Sequence, residues 1–394
     1  MPWSRAELCY CNNVHPGTTL SEVLNALRQH TSPVRQRRGL DSMGAGLWLA
    51  NDVAQSLARE PTSRRGFWDV LGECGLEIAT LNAFPYGNFH SDVVKDRVYR
   101  PNWADDERLR YTLALARILS EQPGPADKTL TLSTLPLGYR AHWDAPQHAQ
   151  AIHKLLQLTV ALARLEVDTG VHIQVCLEME PDCVLERTDE LITFFQHELL
   201  PAAEHAGMQA EQVLRYLACC FDCCHQAVMF EDITASLQAI TDAGIGIGKI
   251  QISNAIEAQI TEAAQLQSLL DNFAEPKFLH QVLIQHGHVT HRLGDLQDAG
   301  AREVLEGLWR VHFHIPIDRA ALPWPGLAST QPAILACLDF LQSRPDLHPT
   351  LEIETYSWLE FLAPDQRAHF NLAEGIACEF RWLEAELNQR KMRI

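Results

Sequence analysis

Short apolar runs of β character alternate along this chain with longer stretches in which apolar residues recur every three or four positions. The runs fall at 8–13, 76–82, 129–135, 171–180, 215–222, 247–253, 310–315 and 350–355. Between them, Leu20, Val23, Leu24 and Leu27 share one helical face behind a Thr19…Glu22 capping box. Ile152, Leu155 and Leu156 open a second helical pattern, Leu191, Phe194 and Phe195 sit in a third, and Ile334, Leu335, Leu338 and Leu341 in a fourth. Ile376, Phe380, Leu383 and Leu387 mark a tail helix over about 372–390. Eight strands separated by helices predict parallel pairing with crossover helices, hence an α/β fold, and eight is the strand count of a (β/α)8 TIM barrel. A doubly wound open sheet is the alternative. No linker divides the chain, so the expectation is one barrel domain over 1–394 with a helical extension from about 365 to 394. The stretches at about 85–105 and the His-rich 280–300 are expected to be long loops over one end of the fold.

Most of the expected strands end in polar residues. Asn82 closes the second, Ser133-Thr134 the third, Glu178 and Glu180 the fourth, Asp222 the fifth, Gln251 and Ser253 the sixth, His312 and His314 the seventh, and Glu352 and Glu354 the eighth. In a parallel barrel all carboxyl ends reach the same face, where active sites sit. Several acids collected there need a cation or shared protons. A divalent metal (Zn, Mn or Mg) meets that need, with Asp, Glu and His as oxygen and nitrogen ligands. Residues two apart on a strand point to the same side, so Glu178 with Glu180, His312 with His314, and Glu352 with Glu354 each face the interior together, while Leu177, Met179, Phe313 and Ile353 face the helices. The more C-terminal member of each pair lies nearer the open face and is the expected ligand.

These residues resemble the xylose-isomerase-like TIM barrels: Glu180-Pro181 followed by Glu186, then Asp222-Cys223-Cys224-His225, then a Glu on the last strand. That group includes sugar-phosphate isomerases, ketose 3-epimerases and barrel-type apurinic endonucleases. The resemblance implies Glu180, Asp222 and Glu354 as metal ligands, Glu186 as a second acid near the substrate, and His225 as a substrate contact. Its sixth strand would carry an imidazole ligand; here Gln251 stands in that segment, an amide oxygen being a weaker ligand, and His314 or His312 is expected to take over. A second resemblance spans nearly the whole chain. Tyr10-Cys11-Asn12-Asn13-Val14-His15-Pro16-Gly17, Phe84-Pro85-Tyr86-Gly87-Asn88-Phe89-His90, Ser133 to Arg140, Phe221 to Ala227 and Glu354-Thr355-Tyr356-Ser357-Trp358 are similar to segments of the EboE family, bacterial proteins labelled metabolite traffic proteins. It implies a place among gene products that make or move a secondary metabolite, with other proteins of that pathway as candidate partners.

Fifty acidic against thirty-two basic residues give a net charge of −18, which disfavours nucleic acid as a partner. No run of about 18 uncharged apolar residues is present to span a membrane, and the first residues carry no apolar signal segment. The eleven cysteines sit largely in apolar runs and read as reduced thiols of a cytoplasmic protein. Tyr86 and His90, in the segment after the second strand, are candidates for a substrate wall. Arg140 is a candidate anion contact, as are Lys95, Tyr99 and Arg100. Asn12 and His15 are placed at the pocket floor, and Asn82, Glu178 and His312 join the substrate contacts. The Gly244–Lys249 run precedes a strand instead of opening a helix, so it is not a phosphate loop.

The combined expectation is a metal-dependent isomerase or epimerase of a small polyhydroxy or carbonyl compound. Glu180 or Glu354 would move the proton and His225 would orient a hydroxyl. A non-catalytic metabolite-binding barrel and a metal-dependent phosphoester hydrolase are the alternatives.

Overall fold

A computed structural model of the chain describes residues 3–124, 128–301, 306–362, 367 and 369–392. Its strands, in chain order, are β1 (Cys9–Tyr10), β2 (Met43–Trp48), β3 (Leu76–Asn82), β4 (Leu130–Thr134), β5 (Ile173–Glu178), β6 (Leu217–Asp222), β7 (Ile247–Ile252), β8 (Asn254–Ile260), β9 (Val282–His286), β10 (Val289–Leu293), β11 (Gly307–Ile315), β12 (Leu327–Ser329) and β13 (Thr350–Ile353). Eight of them form one sheet in the order β1-β13-β7-β6-β5-β4-β3-β2. All seven of its pairings are parallel. A parallel bridge from Cys11 to Gly46 joins the two end strands and closes the ring. This is the expected TIM barrel, wrapped by helices such as Asp106–Ser120, Ala145–Thr169 and Gln331–Ser343. The Thr19 capping box forms as read, with Glu22 reaching back.

Two strand assignments differ from the sequence reading, and they offset each other in the count. Met43–Trp48 is a barrel strand that the apolar pattern did not reveal. Its Met-Gly-Ala-Gly-Leu-Trp sequence is poor in β-branched residues, and a glycine inside a strand marks a close approach. A Cβ at Gly46 would fall 1.5 Å from Glu352 Oε1 and 2.9 Å from the Tyr10 carbonyl, so only glycine leaves room for the Glu352 carboxylate there. Conversely, Gly307–Ile315, expected as the seventh barrel strand, lies in a separate antiparallel sheet of order β10-β9-β11-β8-β12. Alternation along one strand does not say whether its neighbours run parallel or antiparallel, and that is what misplaced it.

The second sheet is an insertion between β7 and β13. The chain leaves β7 at Ile252, passes Ser253 and enters β8 directly. The sheet has its own core of Ile256, Ile260, Leu269, Phe273, Ile284, Val311 and Phe313, so Phe313 packs against the inserted helix Ala263–Phe273 and not against the barrel's helices. The His-rich segment expected as a loop is the hairpin β9–β10, which pairs His286 with Val289 around Gly287 at φ +59°. The tail helix runs Leu372–Gln389 and buries Ile376, Phe380, Leu383 and Leu387. Residues 365–366, 368 and 393–394 of the expected extension lie outside the described residues. Among the described residues, no helix is long and apolar enough to cross a membrane.

Candidate metal and substrate site

Strands β5, β6 and β13 deliver Glu178, Asp222 and, one residue past the strand end, Glu354 to a common rim. One ligand oxygen from each of the three carboxylates lies within 4.8 Å of the others. Glu178 and Asp222 are 3% and 0% exposed. Glu178 Oε2 and Asp222 Oδ2 have no hydrogen-bond partner among the described residues. One oxygen each of Asp222 and Glu354 is committed. Asp222 Oδ1 accepts from the Ser253 hydroxyl at 2.7 Å and from the His225 backbone N–H at 2.8 Å, where it caps the helix Cys223–Val228. Glu354 Oε1 accepts from Asn13 Nδ2 at 3.0 Å and Asn82 Nδ2 at 3.5 Å. Burial, then the charges of Glu354 and Asp222, push the Glu178 carboxyl well above the usual range. Burial and the neighbouring Asp222 do the same to Glu354. A cluster of three buried carboxylates, two of them with an orphan oxygen, is a donor set a hard or borderline divalent cation can take up.

Glu180 is placed differently. It lies two residues beyond Glu178 and past the end of β5, and Tyr99 donates to its Oε1 at 2.7 Å. Burial raises its pKa to about 7, against the pull of His225 and Tyr99. The inserted sheet supplies the imidazoles. His314 Nε2 lies 3.3 Å from His225 Nε2 and 3.3 Å from His312 Nε2. Burial pushes His312 well below its ordinary value and His314 down to about 4. Below this layer, the barrel floor holds a fully buried ion pair, Lys249 Nζ to Glu352 Oε2 at 2.6 Å, with Lys249 also donating to Ser133 Oγ at 2.9 Å. Burial works against the Lys249 charge, but Glu352 beside it keeps the ammonium protonated well above the usual lysine range.

Above the carboxylates lies a solvent-open cavity of about 530 Å³. Asn13, Asn82, Glu178, Glu180, His225, His312, His314 and Glu354 make its polar side, and Phe84, Phe89, Val98, Phe278 and Tyr356 its apolar side. The segment 85–105 does cover this face, through Phe89 and the short helix Lys95–Tyr99. Lys95 lines the cavity with its ammonium paired to Asp295 of the insertion.

Several expected contacts stand elsewhere. Asn12 accepts from the Trp48 backbone N–H at 2.5 Å and braces β2. His15 hydrogen-bonds the Tyr10 hydroxyl at 2.9 Å and stacks on His30. His90 Nε2 meets the Asn13 carbonyl at 2.7 Å, behind the cavity wall. Tyr86 packs edge-on to Tyr111. Arg140 pairs with Glu190 at 2.7 Å, and Glu186 with Arg292 at 2.6 Å, so these charges are met within the protein. Gln251 faces the barrel interior, where its Oε1 accepts from Cys220 Sγ at 3.4 Å; it is not among the cavity-lining residues. Sequence reasoning missed Asn13, which holds Glu354, and Gln281, which Tyr99 and His312 share. The tandem Asn12-Asn13 at a strand end was a signal for the first; nothing local marks Gln281.

No family model matches the sequence, and no curated protein matches it. Solved structures with a similar course of chain include the IOLI protein with a binding zinc atom (10% identity, 97% of this chain and 98% of that one, TM-score 0.49). Others are a D-tagatose 3-epimerase-like protein (10%, 95% and 97%, TM-score 0.45) and D-allulose 3-epimerase from Methylomonas sp. in complex with D-allulose (13%, 64% and 73%, TM-score 0.39). The barrel assignment itself stands on the parallel strand order and its closure.

Proposed function

We propose that the protein is a divalent-metal-dependent isomerase or epimerase acting on a small polyhydroxy or carbonyl compound, in a pathway of the EboE type. The observation that carries this reading is the cluster of buried carboxylates Glu178, Asp222 and Glu354 lining the cavity and its base, with orphan oxygens on Glu178 and Asp222. Glu178, Asp222 and Glu354 would hold the cation, with His314 as the nitrogen donor that the sixth barrel strand lacks. A cation bound there supplies Lewis acidity to a carbonyl or hydroxyl oxygen of the substrate. Glu180 is the proton-transfer group: it faces the cavity, and its pKa of about 7 suits exchange near neutral pH. Tyr99 fixes one of its oxygens and leaves the other to work. Asn82, beside Glu354, orients substrate oxygen atoms. The phenyl wall of Phe84, Phe89 and Phe278 excludes water from the carbon that loses its proton. The unpaired state of all eleven cysteines, ten of them buried, supports a reducing compartment, the cytoplasm.

The test is deuterium exchange. Metal-loaded protein in D2O, incubated with a panel of ketoses and hydroxycarbonyl compounds, should place deuterium on carbon next to a carbonyl in at least one of them. Absence of exchange throughout the panel, with tight binding of any member, would move the protein to the metabolite-binding alternative.

A further inference from the structure

One carboxylate away from the cavity ties together the two chain segments that carry Glu354 and His314. Glu379 lies on the tail helix Leu372–Gln389 and is 1% exposed. The Ile317 backbone N–H donates to its Oε1 at 3.1 Å, the Thr355 hydroxyl to the same oxygen at 2.6 Å, and Trp358 Nε1 to its Oε2 at 2.8 Å. Burial pushes the carboxyl up to about 8 against the pull of these donors. Burying such a group costs stability that an apolar side chain would not. A fully met polar network, in return, fixes one arrangement of the segments it joins. Here the segments are the exits of β11 and β13: Ile317 lies just past the end of β11, and Thr355 follows Glu354 directly. Between those exits, His314 Nδ1 lies 3.0 Å from the Glu354 carbonyl, which can only accept, so Nδ1 carries the hydrogen and Nε2 the lone pair. The Ser357 hydroxyl donates to the His314 carbonyl, and the Tyr356 ring lies 4.7 Å from the His314 ring.

We propose that Glu379 is a positioning residue: by holding the exits of β11 and β13 together from behind, it fixes the His314 ring against Glu354 with Nε2 left bare. The two strands belong to different sheets, and no ladder joins them among the described residues. Their relative placement at the rim therefore depends on ties between side chains and backbone, and Glu379 is the group that both exits share. It is not among the residues that line the cavity, so it acts through Thr355, Trp358 and Ile317. Groups that hold a metal ligand in place from outside are worth about 10–100-fold in metal affinity. That consequence rests on the cation site of the proposed function; the placement of the His314 ring does not.

The experiment follows the ring N–H proton of His314 by NMR on the metal-free full chain carrying 15N-histidine, the signal being identified by its absence from His314→Gln. Zinc affinity is measured on the same proteins. Glu379→Ala should lose the slowly exchanging ring signal and bind zinc about 10–100-fold more weakly. Leu383→Ala, one turn along the same buried helix face, loosens the packing of the tail without touching Thr355 or Ile317, and should keep both readouts of the wild type. Thr355→Val cuts one tie and preserves shape; it should broaden the signal, and it carries the same comparison with Leu383→Ala if Glu379→Ala does not fold. A wild-type signal and zinc affinity in Glu379→Ala, or equal losses in Glu379→Ala and Leu383→Ala, overturn the proposal, because Glu379 then serves only the fold. If the wild-type protein binds no zinc, loss of the ring signal in Glu379→Ala alone sustains the positioning role and removes the cation on which the proposed function depends.

Discussion

Two glutamates two residues apart can share a strand face and still end in different environments. The i, i+2 spacing of Glu178 and Glu180 correctly sends both toward the interior, but spacing does not say which becomes a ligand. Neighbours decide that: Glu178 meets Asp222 and Glu354, whereas Glu180 meets Tyr99 and the imidazoles. The working assignment of proton transfer to Glu180 has a sign that can be checked. As a base it acts ionised, so turnover should rise with pH through about 7 and fall below it, with a bound cation moving that limb lower. Glu180→Gln should cut turnover by roughly 10²–10⁴-fold and abolish the limb while leaving zinc content intact. A variant that keeps the wild-type pH profile would show that another group moves the proton. Asp222 and Glu354 were legible because strand-end polar residues are a local signal, and His225 entered only through the family resemblance. Asn13 and Gln281 were not, because their roles arise only when distant segments meet.

At the scale of elements, the barrel could be read from alternation of strands and helices, yet two elements exchanged places in that reading. A glycine-rich strand carries little β signal, and an inserted antiparallel strand carries a full one. The structure gives Gly46 of β2 its reason: the Glu352 carboxylate that pairs with Lys249, on the neighbouring strand β7, fills the space a Gly46 side chain would take. Gly46→Ala would force Glu352 out of that pair and strand a buried ammonium. The expected loss of stability is about 3–5 kcal/mol, the scale of breaking a buried ion pair, read from the urea midpoint. Wild-type stability in this variant would mean that Glu352 has another route to Lys249. The insertion also bears on the proposed site: β11 brings His314 to the rim from outside the barrel, so in that proposal the nitrogen donor would come from a different sheet than the carboxylates.

For the molecule as a whole, the acids at the rim set how stability follows pH, and the direction depends on whether a cation is bound. Without one, Glu178, Glu180 and Glu354 have pKa values raised above those of the unfolded chain. A group with a raised native pKa favours the fold while protonated, fully so below about pH 4.5, and that contribution is lost as pH rises through the native value. The metal-free protein should therefore melt at lower temperature at pH 8 than at pH 6. A bound cation reverses the local trend, because deprotonated carboxylates hold it more tightly and protons compete with it as pH falls. Free metal at a hundred times its dissociation constant adds about 2.7 kcal/mol to folding. The overall charge of −18 acts on both forms, so it cancels in their difference. The difference in melting temperature between metal-loaded and metal-free protein should widen steadily from pH 6 to pH 8. In Asp222→Asn, which removes one carboxylate of the candidate site, that difference should collapse at every pH. A difference that stays constant or narrows with rising pH in the wild type would place the cation away from these carboxylates.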